Sequence, residues 1–208
     1  MGLDQEFISV EEAARRHPLI DPKRYIAALW DPLDGDIDPS GVTYAYAKAG
    51  KALGANFETH TPVLETNQRP DGSWDVVTEK GNVHAEYVIN AGGLWAREVG
   101  HMAGIHLPVQ PMEHHYLITE DIPEIVEREE RLPAGIDYEG NMYFRQERDG
   151  MLLGTYEPHA TPWSVGGTPM DFGHELLQPQ IDHIAERLEL GFERIPALAK
   201  AGIKNMIN

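Results

Sequence analysis

Three short segments concentrate side chains that could bind a small charged molecule or move its protons. The first is His114-His115-Tyr116. On a strand, alternation sends His114 and Tyr116 to one face and His115 to the other. A histidine and a tyrosine on a shared face could orient an amine or a carboxylate, or exchange protons near neutral pH. The same spacing equally describes two half-buried polar residues on a sheet. The second segment is Asn141-Met142-Tyr143-Phe144-Arg145. An arginine beside an aromatic pair can clamp a carboxylate through two parallel hydrogen bonds. A hairpin with Tyr143 packed and Arg145 solvated fits the pattern slightly better on its own. Gly154-Thr155-Tyr156-Glu157 lies on the expected partner strand and can face the same space. The third segment is Asn90-Ala91-Gly92-Gly93, a glycine-rich turn between a strand and a helix. Such a turn lets backbone approach a ligand, and the next helix offers free N–H groups to an anion. An ordinary tight turn accounts for it as well.

These segments need elements to hold them. Ser9 with Glu12 forms a capping box for a short helix that stops at His17-Pro18. Asp38-Pro39 opens a longer helix, with Val42, Tyr46, Ala49 and Leu53 at helical spacing and Gly54 as its stop. Strands are expected over 25–30, 63–65, 74–79, 83–90, 108–120, 142–146 and 151–156. A short helix is expected from Leu94-Trp95 to about Ala103, and 124–131 is a charged connection, a solvated surface loop or a short helix. Breakers at Pro158, Pro162, Gly166, Gly167 and Pro169 mark a long loop. An amphipathic helix over 180–192 turns Ile181, Ile184, Leu188 and Phe192 to one side. The mixture fits an α/β or α+β fold, with a parallel-sheet portion before about residue 105 and an antiparallel portion after it.

Composition narrows the functions. The chain has 208 residues, 17 basic and 34 acidic side chains, and a net charge of −17. That balance repels phosphate backbones and anionic lipid, so neither nucleic acid nor a membrane is expected as partner. The absence of cysteine removes disulfide scaffolds, thiolate metal sites and thiol nucleophiles, and suits a cytoplasmic protein. Histidines are scattered, without HExxH, so no metal is expected. GxGxxG is absent, as are P-loop and GxSxG signatures.

Taken in order, several segments resemble FAD-dependent amine oxidoreductases of the D-amino-acid-oxidase type. They are 30–39 (WDPLDGDIDP), the helix with Gly54-Ala55-Asn56-Phe57, Thr61-Pro62-Val63-Leu64, and 88–96 (VINAGGLWA). The stretch 108–119 (PVQPMEHHYLIT), with Met142–Gln146 and Gly154–Glu157, is similar to the dimethylglycine and sarcosine dehydrogenase branch. The resemblance implies a partial FAD-binding domain over 39–105. It also implies a mainly antiparallel substrate-binding sheet with flanking helices, built from 1–38 and 106–208. It implies oxidation of an N-methylated glycine by hydride transfer to flavin, with tetrahydrofolate as a further cofactor in the full-length enzyme. It assigns His114 and Tyr143 to catalysis, and Val63, Ala91, Gly92, Gly93 and Trp95 to the cofactor. Tyr116 and Tyr156 join the substrate side, and Arg145 is the expected carboxylate clamp. Measured against the branch, the chain corresponds to the interior of a longer enzyme, without the N-terminal GxGxxG unit and the C-terminal segment. Alone it is expected to be inactive, to hold FAD weakly, and to self-associate through uncovered sheet surface. A non-catalytic small-ligand-binding module, or a related flavin enzyme for another amine or glycerol 3-phosphate, remains open.

Overall fold

The computed structural model describes residues 4–173 and 175–208. In chain order the elements are β1 (Glu6–Ile8), α1 (Val10–Arg16), β2 (Ala28–Trp30), α2 (Pro39–Ala52), β3 (Val63–Gln68), β4 (Trp74–Thr78) and β5 (Gly81–Ala85). They continue as α3 (Ala96–Met102), β6 (Tyr116–Thr119), α4 (Pro123–Val126), β7 (Gly135–Asp137), β8 (Met142–Glu147), β9 (Gly150–Thr155), α5 (Ile181–Arg194) and β10 (Ile203–Ile207). The chain forms two compact units. One comprises 1–36, 113–161 and 176–208, and the other 37–112 and 162–175.

Both capped helices form where their start signals lie. The Ser9 side chain accepts the Glu12 N–H, and the Asp38 side chain accepts the Ser40 N–H with Pro39 at the first helical position. Gly54 takes φ +94° beyond α2, a conformation that costs glycine nothing.

In the first unit a five-stranded antiparallel sheet runs β10-β6-β9-β8-β7. Every residue of the central strand β9 is buried. One face of the sheet packs Leu117, Met142, Phe144, Met151 and Leu153 with Ile184 and Leu188 of α5. A side chain at Gly191 would collide with Leu153, so the glycine lets α5 lie close to β9. The opposite face carries a row of directly paired residues: Tyr116, Gly154 and Tyr143. The next such row is Ile118, Leu152 and Arg145.

The second unit holds an antiparallel meander β3-β4-β5. The parallel portion expected before residue 105 does not form, because every strand pair among the described residues is antiparallel. The expected strand 83–90 ends at Ala85, and 87–90 has no ladder partner among the described residues, with Tyr87 and Ile89 exposed. A parallel strand needs a neighbour from another crossover unit, and the described chain supplies none. The expected strand 108–120 shrinks to Tyr116–Thr119, because Pro108 and Pro111 lack the N–H a ladder requires. The expected strand 25–30 begins only at Ala28, after a 3-10 turn at Pro22–Arg24 capped by Asp21. Ile181, expected on the core side of α5, is exposed in its first turn. The face of α2 expected to be buried contains no buried residue, and Tyr46 and Leu53 are exposed. No helix among the described residues is long and apolar enough to cross a membrane.

Candidate active site

The open face of the five-stranded sheet gathers most of the residues expected on the substrate side. Alternation places His114 with Tyr116, Tyr143 with Arg145, and Gly154 with Tyr156, all on that face. Burial alternates accordingly along the segment entering β6: His114 exposed, His115 buried, Tyr116 half-buried, Leu117 buried. Regular pairing starts at Tyr116, but the Thr155 N–H still donates to the His115 carbonyl at 3.2 Å, which holds the two histidines at the strand end.

Three rings meet there. His114 and Tyr156 lie 5.5 Å apart between centroids, Tyr143 and Tyr156 5.4 Å, and His114 and Tyr143 6.3 Å. Gly154 makes the arrangement possible, because a Cβ at that position would occupy the space of the Tyr143 ring. Burial pushes the Tyr143 hydroxyl pKa up, with Tyr156 and Tyr116 adding in the same direction, so the phenol stays protonated at neutral pH. The rings therefore present π faces and a neutral hydroxyl, which suits a methylated ammonium.

Glu157, which the sequence offered only as the end of the Gly154–Glu157 segment and without a role of its own, lies behind this cluster. Its Oε1 accepts the His115 backbone N–H at 2.9 Å and the Thr155 hydroxyl at 3.1 Å, and lies 2.9 Å from His115 Nδ1. Its Oε2 lies 2.9 Å from His114 Nδ1. The side chain is 4% exposed. Burial pushes its pKa up, but the His115 backbone N–H, its own backbone N–H and both imidazoles outweigh burial, and the net pKa lies below the ordinary value. Alternation along 155–157 was the available signal, since it places Glu157 on the His115 side. Arg145, in the next row of the same face, pairs with carboxylates. Its Nη1 is 2.6 Å from Glu147 Oε2 and 3.8 Å from Asp36 Oδ2, so its charge is already compensated.

The residues expected on the cofactor side lie in the second unit. Val63 opens the edge strand β3, whose register shifts between Val63 and Glu65. Among the described residues no strand pairs with the outer edge of β3, which leaves backbone N–H and C=O groups there to pair with a flat heterocycle. Ala91 and Gly93 are exposed, and Gly93 has φ +54° with open space where a side chain would stand. The Asn90 side chain braces the turn, accepting the Gly92 N–H at 3.0 Å and donating to the Ala96 carbonyl at 2.8 Å. The Trp95 indole N–H is spent on the Pro169 carbonyl at 2.8 Å. Glu98 accepts the Thr168 N–H at 2.8 Å, and Arg97 Nη2 donates to the Ser164 carbonyl at 3.0 Å. The 162–175 loop is thereby fastened to the turn and to α3. A braced, accessible glycine turn and a free strand edge fit the demands of a dinucleotide.

Comparison with known proteins decides the family. The model for FAD dependent oxidoreductases matches residues 1–205. The chain belongs to the FAD-dependent oxidoreductase family. It is 41% identical over 210 residues to mitochondrial dimethylglycine dehydrogenase of Mus musculus, covering 99% of this chain and 24% of that protein. It is 29% identical to mitochondrial sarcosine dehydrogenase of the same species, over 99% of this chain and 22% of that protein. The chain thus spans about a quarter of the length of these curated relatives. Among solved structures, L-proline dehydrogenase from P. horikoshii superposes with a TM-score of 0.80 at 28% identity, over 99% of this chain and 52% of that one.

Proposed function

We propose that this chain carries the substrate face, and part of the cofactor side, of an FAD-dependent enzyme that oxidises an N-methylated glycine of the dimethylglycine or sarcosine type. The observation that carries the reading is the ring cluster His114–Tyr143–Tyr156 in a chain 41% identical to a dimethylglycine dehydrogenase. A dimethylammonium group is small, cationic and apolar at its rim, and π faces at centroid separations of 5.4–6.3 Å offer it attraction without a strong hydrogen-bond requirement. His114 and Tyr143 contact the amine, Tyr116 and Tyr156 line the site, and Arg145 takes the carboxylate by exchanging Glu147 for it. Val63, Ala91, Gly92, Gly93 and Trp95 belong to the cofactor side, within a partial FAD-binding portion over 39–105. The substrate portion is 1–38 with 106–208. Bound FAD supplies the acceptor for hydride from the carbon beside nitrogen. The uncovered apolar surface of the second unit, with Tyr46, Leu53, Tyr87 and Ile89 each at least 75% exposed, favours contact with a second copy of the chain.

The test is titration of the 208-residue protein with N,N-dimethylglycine and, separately, with glycine, read by tyrosine-ring carbon spectra. Resonances of Tyr143 and Tyr156 should move with dimethylglycine and stay with glycine. Rings indifferent to millimolar dimethylglycine overturn the proposed substrate class. Added FAD that is wholly lost on desalting removes the cofactor assignment from this stretch of chain.

A further inference from the structure

The contacts of Glu157 determine where protons sit on two histidines. The backbone N–H of Gln180 donates to His115 Nε2 at 3.1 Å. A backbone N–H can only donate, so Nε2 holds a lone pair and the neutral ring carries its proton on Nδ1, aimed at Glu157 Oε1 2.9 Å away. An ionised carboxylate can only accept, so the His114 Nδ1 that faces Oε2 at 2.9 Å also carries a proton. His114 Nε2, on the far side of a 40% exposed side chain, has no hydrogen-bond partner among the described residues. Water favours the opposite tautomer of imidazole, with the proton on Nε2, so the carboxylate selects the rarer form.

We propose that Glu157 is a positioning residue that holds His114 as the Nδ1–H tautomer, so that the Nε2 lone pair faces the open side of the sheet and accepts the proton of a bound methylated ammonium. This rests on the reading of the site as an amine site. In the step, the ammonium N–H bond breaks and its electron pair stays on nitrogen. The proton forms a new bond to Nε2, and the imidazolium charge is balanced by the carboxylate behind it. The free amine is the form able to release hydride from its neighbouring carbon. His115, held by the Gln180 N–H just before α5, keeps the carboxylate from turning away.

Two-bond proton–nitrogen spectra of the 15N-histidine-labelled 208-residue protein at pH 8 test this without flavin or substrate. His114 and His115 are both expected as Nδ1–H. In Glu157→Gln the amide oxygen stays with the two donors of His115, and the amide NH2 must then face His114 Nδ1. His114 is expected to switch to Nε2–H while His115 keeps its form. His114 found as Nε2–H in the unsubstituted protein, or unchanged in Glu157→Gln, overturns the proposal. If Glu157→Gln fails to fold, the unsubstituted spectrum decides alone. The dimethylglycine titration is read separately, so a wrong tautomer and a wrong substrate class give different failures.

Discussion

Gly154→Ala is the sharpest perturbation of the site, because its cost can be worked from the register. Gly154 sits on the central strand, paired with Tyr116 on one side and Tyr143 on the other. A Cβ there would overlap the Tyr143 ring at Cζ, Cε1 and the hydroxyl. The strand cannot yield, since it is hydrogen-bonded along both edges and its other face is packed against α5. The ring must therefore leave. Leaving breaks its pairing with Tyr156 and with His114, each worth about 0.5–1.5 kcal/mol. The gain from replacing glycine inside a strand returns about 0.5–1 kcal/mol. The expected net loss is about 1 kcal/mol, within a range of about 0–2.5 kcal/mol, read as a lower urea midpoint at unchanged slope. The decisive control is the same substitution in a Tyr143→Ala background, where no ring stands in the way. There Gly154→Ala should be neutral or slightly stabilising. An equal loss in both backgrounds would refute the claim that Gly154 exists to seat the ring, and would move the cost to the backbone.

Three further outcomes follow from particular contacts. His17 is 5% exposed against the Phe144 ring, neither ring nitrogen has a hydrogen-bond partner among the described residues, and burial lowers its pKa to about 4. Because the unfolded chain protonates near pH 6.5, stability is full above that pH and falls by about 3 kcal/mol as pH drops toward 4; His17→Leu should flatten urea midpoints across that window, and an unchanged slope would count against this. Arg194 Nε lies 3.1 Å from Asp137 Oδ2, both side chains nearly buried, so Arg194→Met should cost about 3–5 kcal/mol, most of it recovered by adding Asp137→Asn, as double-mutant unfolding curves would show. Light scattering should give an apparent mass that rises with concentration and falls back in Leu53→Glu with Ile89→Lys; a constant monomer mass argues against self-association.

What could be read from the residues was what depends on neighbours a few positions away. The caps at Ser9 and Asp38 form because their partners lie two or three residues on. The β8–β9 hairpin was legible for the same reason, although the sequence puts its turn at Asp149-Gly150 and the structure one residue earlier, at Arg148-Asp149. The expected parallel portion failed for the converse reason. A strand, glycine turn and helix look alike whether or not a parallel neighbour exists, and the apolar Val88 and Ile89 do not tell the two cases apart. β7 and β10 escaped notice because one is three residues long and the other carries Lys204 and Asn205 on an edge with a register shift. Glu157 escaped because its partners lie 42 and 43 residues away, and a glutamate at a strand end ordinarily points to water.

The site depends on a division of labour between the two sides of one strand end. On the open side the rings of His114, Tyr143 and Tyr156 meet, while the ion pairs of that face are those of Arg145 with Glu147 and Asp36. The charge is kept behind, in a carboxylate whose burial would be unfavourable but for four donors. Such a carboxylate cannot move toward a substrate, because releasing Oε1 would strand the buried His115 N–H without an acceptor. It can act only through His114. Fixing the charge one residue away from the ligand gives the histidine a defined tautomer and leaves the substrate's own cation uncompensated until its proton is transferred. A carboxylate in direct contact would instead stabilise the protonated amine, the form that cannot give up hydride.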